Sequence, residues 1–173
     1  MKKKSLFILI VILILTIIDQ IIKYLVVSNI SIGSEKIIID NFLKFIYIRN
    51  TGAAFGILSG NIIFLIFITV LLIFYIVNEM KKNINNNLSL LSFSLILSGA
   101  LGNLIDRVVR GYVVDYISFT LFNREMSVFN LADTYITIGV ILLIYIVIKE
   151  GKNERVSSRK RKWIKKIRCI FGI

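Results

Sequence analysis

Four apolar runs constrain this chain more than any other feature. They cover residues 6–27, 62–77, 88–105 and 131–148. At about 1.5 Å of rise per residue, roughly 20 apolar residues in a helix cross the hydrocarbon of a bilayer. The run 62–77 is short for this unless Asn61 and Asn78 sit in the interface. The chain is 57% hydrophobic, against roughly 45–50% in an ordinary soluble domain. The excess is gathered into the four runs, so a soluble all-helical core is the poorer reading. The predicted fold is mostly α and integral to a membrane, with four transmembrane helices. One domain is expected over residues 1–150, with long loops at 28–60 and 106–130, followed by a basic tail over 151–173. A basic start before an apolar run also suits a signal peptide. No small-x-small cleavage site follows and the run resumes past Asp19, so a retained span is expected.

The distribution of Lys and Arg sets the expected orientation. With four spans, both termini share a side with the loop that begins at Glu79. That side carries fifteen cations, ten of them from Lys149 onward, and the other side carries six. Both termini are therefore expected in the cytoplasm, with the two long loops facing outward. The tail mixes its cations with Trp163, Ile164, Ile167, Ile170 and Phe171. That pattern suits an amphipathic helix lying on anionic lipid. A charge run can also bind nucleic acid, but a tail tethered beside a membrane favours lipid, so no nucleic-acid partner is expected.

Within the first loop, Asp40-Asn41 is a turn signal between residues 36–39 and the strand-like stretch 42–50. Phe45, Tyr47 and Arg49 share one face, and Ile46, Ile48 and Asn50 the other. This reads as a small β-hairpin at the membrane surface. Thr51-Gly52-Ala53-Ala54-Phe55-Gly56 follows, whose small residues let the backbone approach another element or a ligand closely. In the third span, Ser92, Ser94, Ser98, Gly99 and Gly102 are small positions suited to close helix packing.

Polar residues set in hydrocarbon are costly and need a reason. With the expected orientation, Asp19 and Lys23 lie toward the outer end of the first span. Asn103, Asp106 and Arg107 lie at the outer end of the third, and Asn130 and Asp133 at the outer start of the fourth. Polar groups from three spans thus converge at one depth. Each also has a simpler reading. Asp19 and Lys23, four apart on one helix face, suit a buried structural pair. Asp106 suits a solvated interfacial bridge to Arg110 better than a catalytic role. Arg107 suits a snorkelling anchor. Asn130 suits an N-cap with Asp133 three residues into the helix. Asp115 interrupts the strand-like run 112–117, although a loop carboxylate facing water would do the same.

The chain has no His, which excludes Ser-His-Asp and Cys-His nucleophile systems and a His-rich metal site. A single cysteine, Cys169, cannot form an intramolecular disulfide and reads as an inert thiol. Two carboxylates brought together remain able to do chemistry. Like charges at close range resist joint ionisation, so one carboxyl keeps a proton while the other activates water. That is aspartyl peptidase chemistry.

At these residues the chain resembles bacterial lipoprotein signal peptidase, the signal peptidase II family, over about the first 150 residues. The pieces are Asp19 with Lys23, Asn50-Thr51-Gly52-Ala53-Ala54-Phe55, the stretch 99–107 (GALGNLIDR), Val114-Asp115-Tyr116, and Phe129-Asn130-Leu131-Ala132-Asp133. Gly56 stands where family members often have Ser. The resemblance implies four spans with a small extracytoplasmic β-cradle and an outer half-helix or lid. It implies cleavage of prolipoproteins before a diacylglyceryl-modified cysteine, at the outer face of the bacterial inner membrane. Asp115 and Asp133 would be the catalytic dyad. Asn103, Arg107 and Asn130 would surround it, Arg107 and Asn50 would contact substrate backbone beside Gly52, and Asp19 and Lys23 would support the site. No metal or cofactor is implied, and a monomer is expected. Two readings from other classes compete. A channel, transporter or assembly subunit would need polar residues through the whole thickness, whereas the cytoplasmic halves of the spans are nearly all apolar. A simple lipid-binding anchor leaves residues 99–133 unexplained.

Overall fold

The computed structural model describes residues 2–53, 57–122, 124–151 and 158–172. Five helices and four strands follow in the order α1 (Lys2–Asn29), β1 (Glu35–Ile39), β2 (Leu43–Asn50), α2 (Ile62–Lys82), α3 (Asn87–Arg110), β3 (Val113–Leu121), β4 (Arg124–Glu125), α4 (Leu131–Gly151) and α5 (Ser158–Phe171). The helices α1 to α4 are long and apolar enough to cross a membrane, as the four runs predict.

α3 is the axis of the bundle and packs against α1, α2 and α4. Its most apolar stretch is 67% buried, against 17–28% for the other three spans, whose exposed large side chains are mostly Ile, Leu and Phe. Phe93, Ile96 and Leu97 of α3 meet Ile12, Ile76, Leu143 and Ile146 in the main apolar core. The small residues of α3 permit this central place. A Cβ on Gly99 would collide with the Ala132 carbonyl of α4. Ser92, Ser94 and Ser98 donate to the carbonyls four residues back at 2.7–2.9 Å, so they add no unsatisfied hydroxyls to the apolar half of the helix. The side chain of Asn86 caps the start of α3 by accepting from the backbone of Leu88 and Ser89. Gly111, at φ 77°, ends it in the left-handed conformation that glycine adopts freely.

The strands form one antiparallel sheet in the order β1-β2-β3-β4. Asn41, at φ 56°, turns the predicted β1–β2 hairpin. Its outer neighbour β3 carries the strand-like run around Asp115, paired so that Ile48 faces Asp115 and Asn50 faces Val113. Tyr47, Val114 and Tyr116 pack with Val26 and anchor the sheet to the end of α1.

Several boundaries differ from expectation. α2 runs on to Lys82, so Glu79 is helical and buried rather than part of a polar loop. α3 runs to Arg110, which puts Asp106 and Arg107 on its last turns and shortens the second loop. The expected helix α5 forms, but Ile164 and Ile167 are buried against Val147 of α4. Part of its apolar face therefore meets protein where lipid was expected. Ala54, Phe55 and Gly56 lie outside the described residues. Among the described residues between β2 and α2 there is no helix of the kind the lid expectation requires, and residues 57–60 form turns.

Candidate active site

Asp115 and Asp133 reach the site from different elements and are tied together by Asn130. Asp133 stands in the first turn of α4. Its backbone N–H donates to Asn130 Oδ1 at 2.9 Å, and the Asn130 N–H donates to Asp133 Oδ2 at 3.3 Å. This is a reciprocal cap of the helix start. The same Asn130 donates its side-chain amide to Asp115 Oδ1 at 2.7 Å. The capping role and the convergence of polar groups are thus one arrangement. Asn50, from the end of β2, donates to Asp115 Oδ2 at 2.9 Å. Asn103 Nδ2 donates to Asp133 Oδ1 at 2.8 Å. All four carboxylate oxygens accept from an N–H, which leaves their remaining lone pairs for other partners.

Burial pushes the carboxyl of Asp115 up to about 7, with the negative charge of Asp133 the next contribution. The amides of Asn50 and Asn130 offset part of this rise.

Beneath the dyad lies a buried ionic cluster. Lys23, fully buried, has its ammonium 3.0 Å from both Asp19 and Asp106 and donates to Asn103 Oδ1 at 2.8 Å. The Asp19–Lys23 pair predicted by spacing exists, and a third member completes it. Asp106 also pairs with Arg110 at 3.2 Å, as its spacing suggests, but its side chain has no exposure and the pair is not a solvated bridge. Asp106 accepts from the backbone of Val114, the residue before Asp115. Asp19 accepts from the backbone of Ala132, the residue before Asp133. Each supporting carboxylate therefore holds the backbone adjoining one member of the dyad. A Cβ on Gly102 would collide with the Asp19 carboxylate, so glycine is needed there. Gln20 donates to Asp19, Gly102 and Asp106 at 3.1–3.5 Å. Sequence reasoning gave Gln20 no role, although a polar residue beside Asp19 within a span was the signal.

Arg107 is not a snorkelling anchor. Its Nη2 donates to the Gly52 carbonyl at 3.0 Å and its Nη1 to the Asn103 carbonyl at 3.5 Å, while its buried Nε has no partner among the described residues. The Gly52 N–H in turn donates to Asn50 Oδ1 at 2.9 Å, so Asn50, Gly52 and Arg107 meet at one edge of the site. A cavity of about 590 Å³ opens over Asp115, Asp133, Asn50, Asn103 and Arg107 and continues between apolar walls from β3 and α4. Among the described residues no cluster of metal-ligating side chains occurs.

The family model described as "Signal peptidase (SPase) II" matches residues 11–149. The chain belongs to the signal peptidase II family. It is 40% identical over 143 residues to the lipoprotein signal peptidase of Staphylococcus aureus strain MRSA252, covering 82% of this chain and 88% of that relative. The corresponding protein of strain JH9 is 39% identical over the same coverage. A solved structure described as "Bacterial membrane enzyme structure by the in meso method at 2.3 A resolution" superposes with a TM-score of 0.82 at 37% identity, covering 88% of this chain and 93% of that one. A second, at 1.9 Å resolution, has a TM-score of 0.76 at 38% identity over 83% of this chain and 93% of that one. As a member of signal peptidase II, this is a multi-pass membrane peptidase of the aspartyl type that acts on lipoprotein signal peptides. Its matched region ends where the fourth span does, so α5 lies beyond it.

Proposed function

We propose that Asp115 and Asp133 hydrolyse the peptide bond that precedes a diacylglyceryl-modified cysteine in prolipoproteins. The observation that carries this is the linkage of both carboxylates through Asn130 at one cavity in the polar end of the bundle. Asp133, in the first turn of α4 where the helix dipole favours a negative charge, is the base. Asp115, pushed up to about 7, carries the proton. Asp133 takes a proton from water as its oxygen attacks the scissile carbonyl carbon, and Asp115 protonates the carbonyl oxygen. The tetrahedral diol then collapses. Asp133 returns its proton to the leaving nitrogen, the C–N bond breaks, and Asp115 recovers a proton from a diol hydroxyl. Asn50, Gly52 and Arg107 contact substrate backbone at the edge of the cavity, and Asn103, Asn130, Asp19 and Lys23 hold the dyad.

The working unit is a monomer with the four-span domain at residues 1–150 and the tail at 151–173. The excess of cations on the termini and the α2–α3 turn supports both ends lying on the cytoplasmic side of a bacterial inner membrane, with the dyad toward the outer face. The exposed Lys165 and Arg168 of α5 meet anionic lipid. The test is cleavage of a diacylglyceryl-modified prolipoprotein peptide and its unmodified twin by wild type and Asp115→Asn in detergent. Cleavage of the lipidated peptide alone, lost in the variant, is expected. Absence of cleavage by folded wild type overturns the proposal.

A further inference from the structure

The β3–β4 hairpin and the residue after it expose apolar side chains that are uncovered among the described residues. Phe122 is 99% exposed, Leu121 43% and Met126 48%. Phe122 also holds φ at 51°, a conformation disfavoured for a bulky residue. An aromatic ring held fully exposed at such a turn is unfavourable in water and favourable in an apolar medium. The exposed Arg124 and Glu125 of β4 flank the turn, and Glu125 is bridged to Lys44 of β2 at 2.7 Å, which in turn meets Glu35 of β1 at 2.8 Å.

The cavity ties the flanks of this turn to a membrane-spanning helix. Its walls include Leu121 at the end of β3, Met126 just past β4, and Ile136 and Thr137 from α4. Ile136 and Thr137 lie in the second turn of a membrane-spanning helix, about 8–9 Å below its start at 1.5 Å per residue. Thr137 and its neighbour Ile138 are exposed on the bundle surface, where lipid runs. One cavity bounded by both elements brings Leu121 and Met126, which flank the turn, to the same mouth as Ile136 and Thr137 in the apolar part of α4.

We propose that the β3–β4 turn is a wedge inserted into the acyl region of the leaflet, and that it forms with Ile136 and Thr137 the lateral mouth of the cavity. Phe122 is the inserted ring, and Leu121 and Met126 are the wall along which lipid chains pass. The role of this mouth in admitting a lipid-bearing peptide rests on the proposed function. The insertion itself does not.

Trp163 is the only tryptophan of the chain, so Phe122→Trp in a Trp163→Phe background gives a single reporter at a position where side-chain size meets no obstacle. The full chain is reconstituted in phosphatidylcholine–phosphatidylglycerol vesicles, with and without acyl-brominated phosphatidylcholine. Wedge insertion makes the emission blue-shifted, strongly quenched by brominated lipid and shielded from aqueous acrylamide. Emission at the wavelength of tryptophan in water, open to acrylamide and indifferent to brominated lipid, overturns the proposal. Shielding from both quenchers overturns it too, because protein then covers the turn. Cleavage of the lipidated peptide is measured in the same vesicles. Cleavage without bromine quenching rejects the wedge and keeps the peptidase, whereas quenching without cleavage keeps the wedge and rejects the proposed reaction.

Discussion

Lys23 donates to Asn103 Oδ1 at 2.8 Å, and this contact decides which way the Asn103 amide faces. With the oxygen held by an ammonium, Nδ2 is left to donate to Asp133. The buried cation thus sets a donor on the dyad without touching it. Lys23 also stands between Asp19 and Asp106. Replacing it by Met leaves the buried Asp19 without a cation and Asp106 with Arg110 alone, and breaking a buried ion pair in this way costs roughly 3–5 kcal/mol. Lys23→Met is therefore expected to lower the unfolding temperature sharply. Lys23→Met with Asp106→Asn should recover part of that loss and little activity. Thermal unfolding and peptide turnover measured together check this, and recovery of both would refute the orienting role.

Asp115→Asn and Asp133→Asn each remove a proton carrier from the proposed reaction. Positioned acid–base groups contribute about 10²–10⁴-fold, so turnover should fall by at least the lower figure while the helical content is kept. Full turnover by either variant would show that the dyad is misassigned.

The raised pKa of Asp115 has two consequences for pH. The proton needed in the reaction is lost as pH rises through about 7, so kcat/KM should decline on the alkaline side of that value. Stability moves in the same direction. Between the ordinary 3.8 and about 7 the folded chain binds a proton that the unfolded chain releases. The contribution of Asp115 therefore weakens stability as pH rises through this window and levels off above it. Asp133→Asn removes one cause of the shift, so the pH dependence of its unfolding temperature should be shallower than that of wild type.

Gly99 and Gly102 differ in what a methyl group would strike. At Gly99 it meets a backbone carbonyl of α4, and at Gly102 the carboxylate of Asp19. Overpacking costs typically about 1–3 kcal/mol. Gly99→Ala should lower stability by separating α3 from α4. Gly102→Ala should lower activity more than stability, because a displaced Asp19 releases the Ala132 N–H beside Asp133. Equal effects on both quantities in the two variants would contradict this.

The spans were legible because their apolar residues form unbroken runs, and the hairpin because Asp40-Asn41 supplies its turn. Local spacing showed Asp19–Lys23 and Asp106–Arg110 as separate pairs. It could not show that Lys23 joins both aspartates, because that contact crosses from α1 to α3. The pairing of β3 with β2 is likewise non-local, so the sequence suggested a strand around Asp115 without its partner Ile48. Glu79 looked like a loop residue on polarity alone. Its burial depends on Lys82 one turn away at 2.8 Å and on Lys166 of α5 at 3.6 Å, far along the chain.

That last arrangement makes α5 a brace at the end of the bundle opposite the dyad. Lys166 lies near Glu79 and 4.9 Å from the centre of the Tyr75 ring on α2, while Ile164 and Ile167 cover Val147 on α4. Deleting residues 155–173 uncovers Val147 and removes one cation from a buried carboxylate, but touches no group at the cavity. The truncated enzyme is expected to unfold at a lower temperature with turnover of the lipidated peptide unchanged. Glu79→Gln should cost less stability in the truncated chain than in the full one, because its distant partner is already gone. Unfolding curves for the four chains give that coupling directly. If a well-folded truncated enzyme loses its turnover, α5 acts on the reaction and is more than a brace.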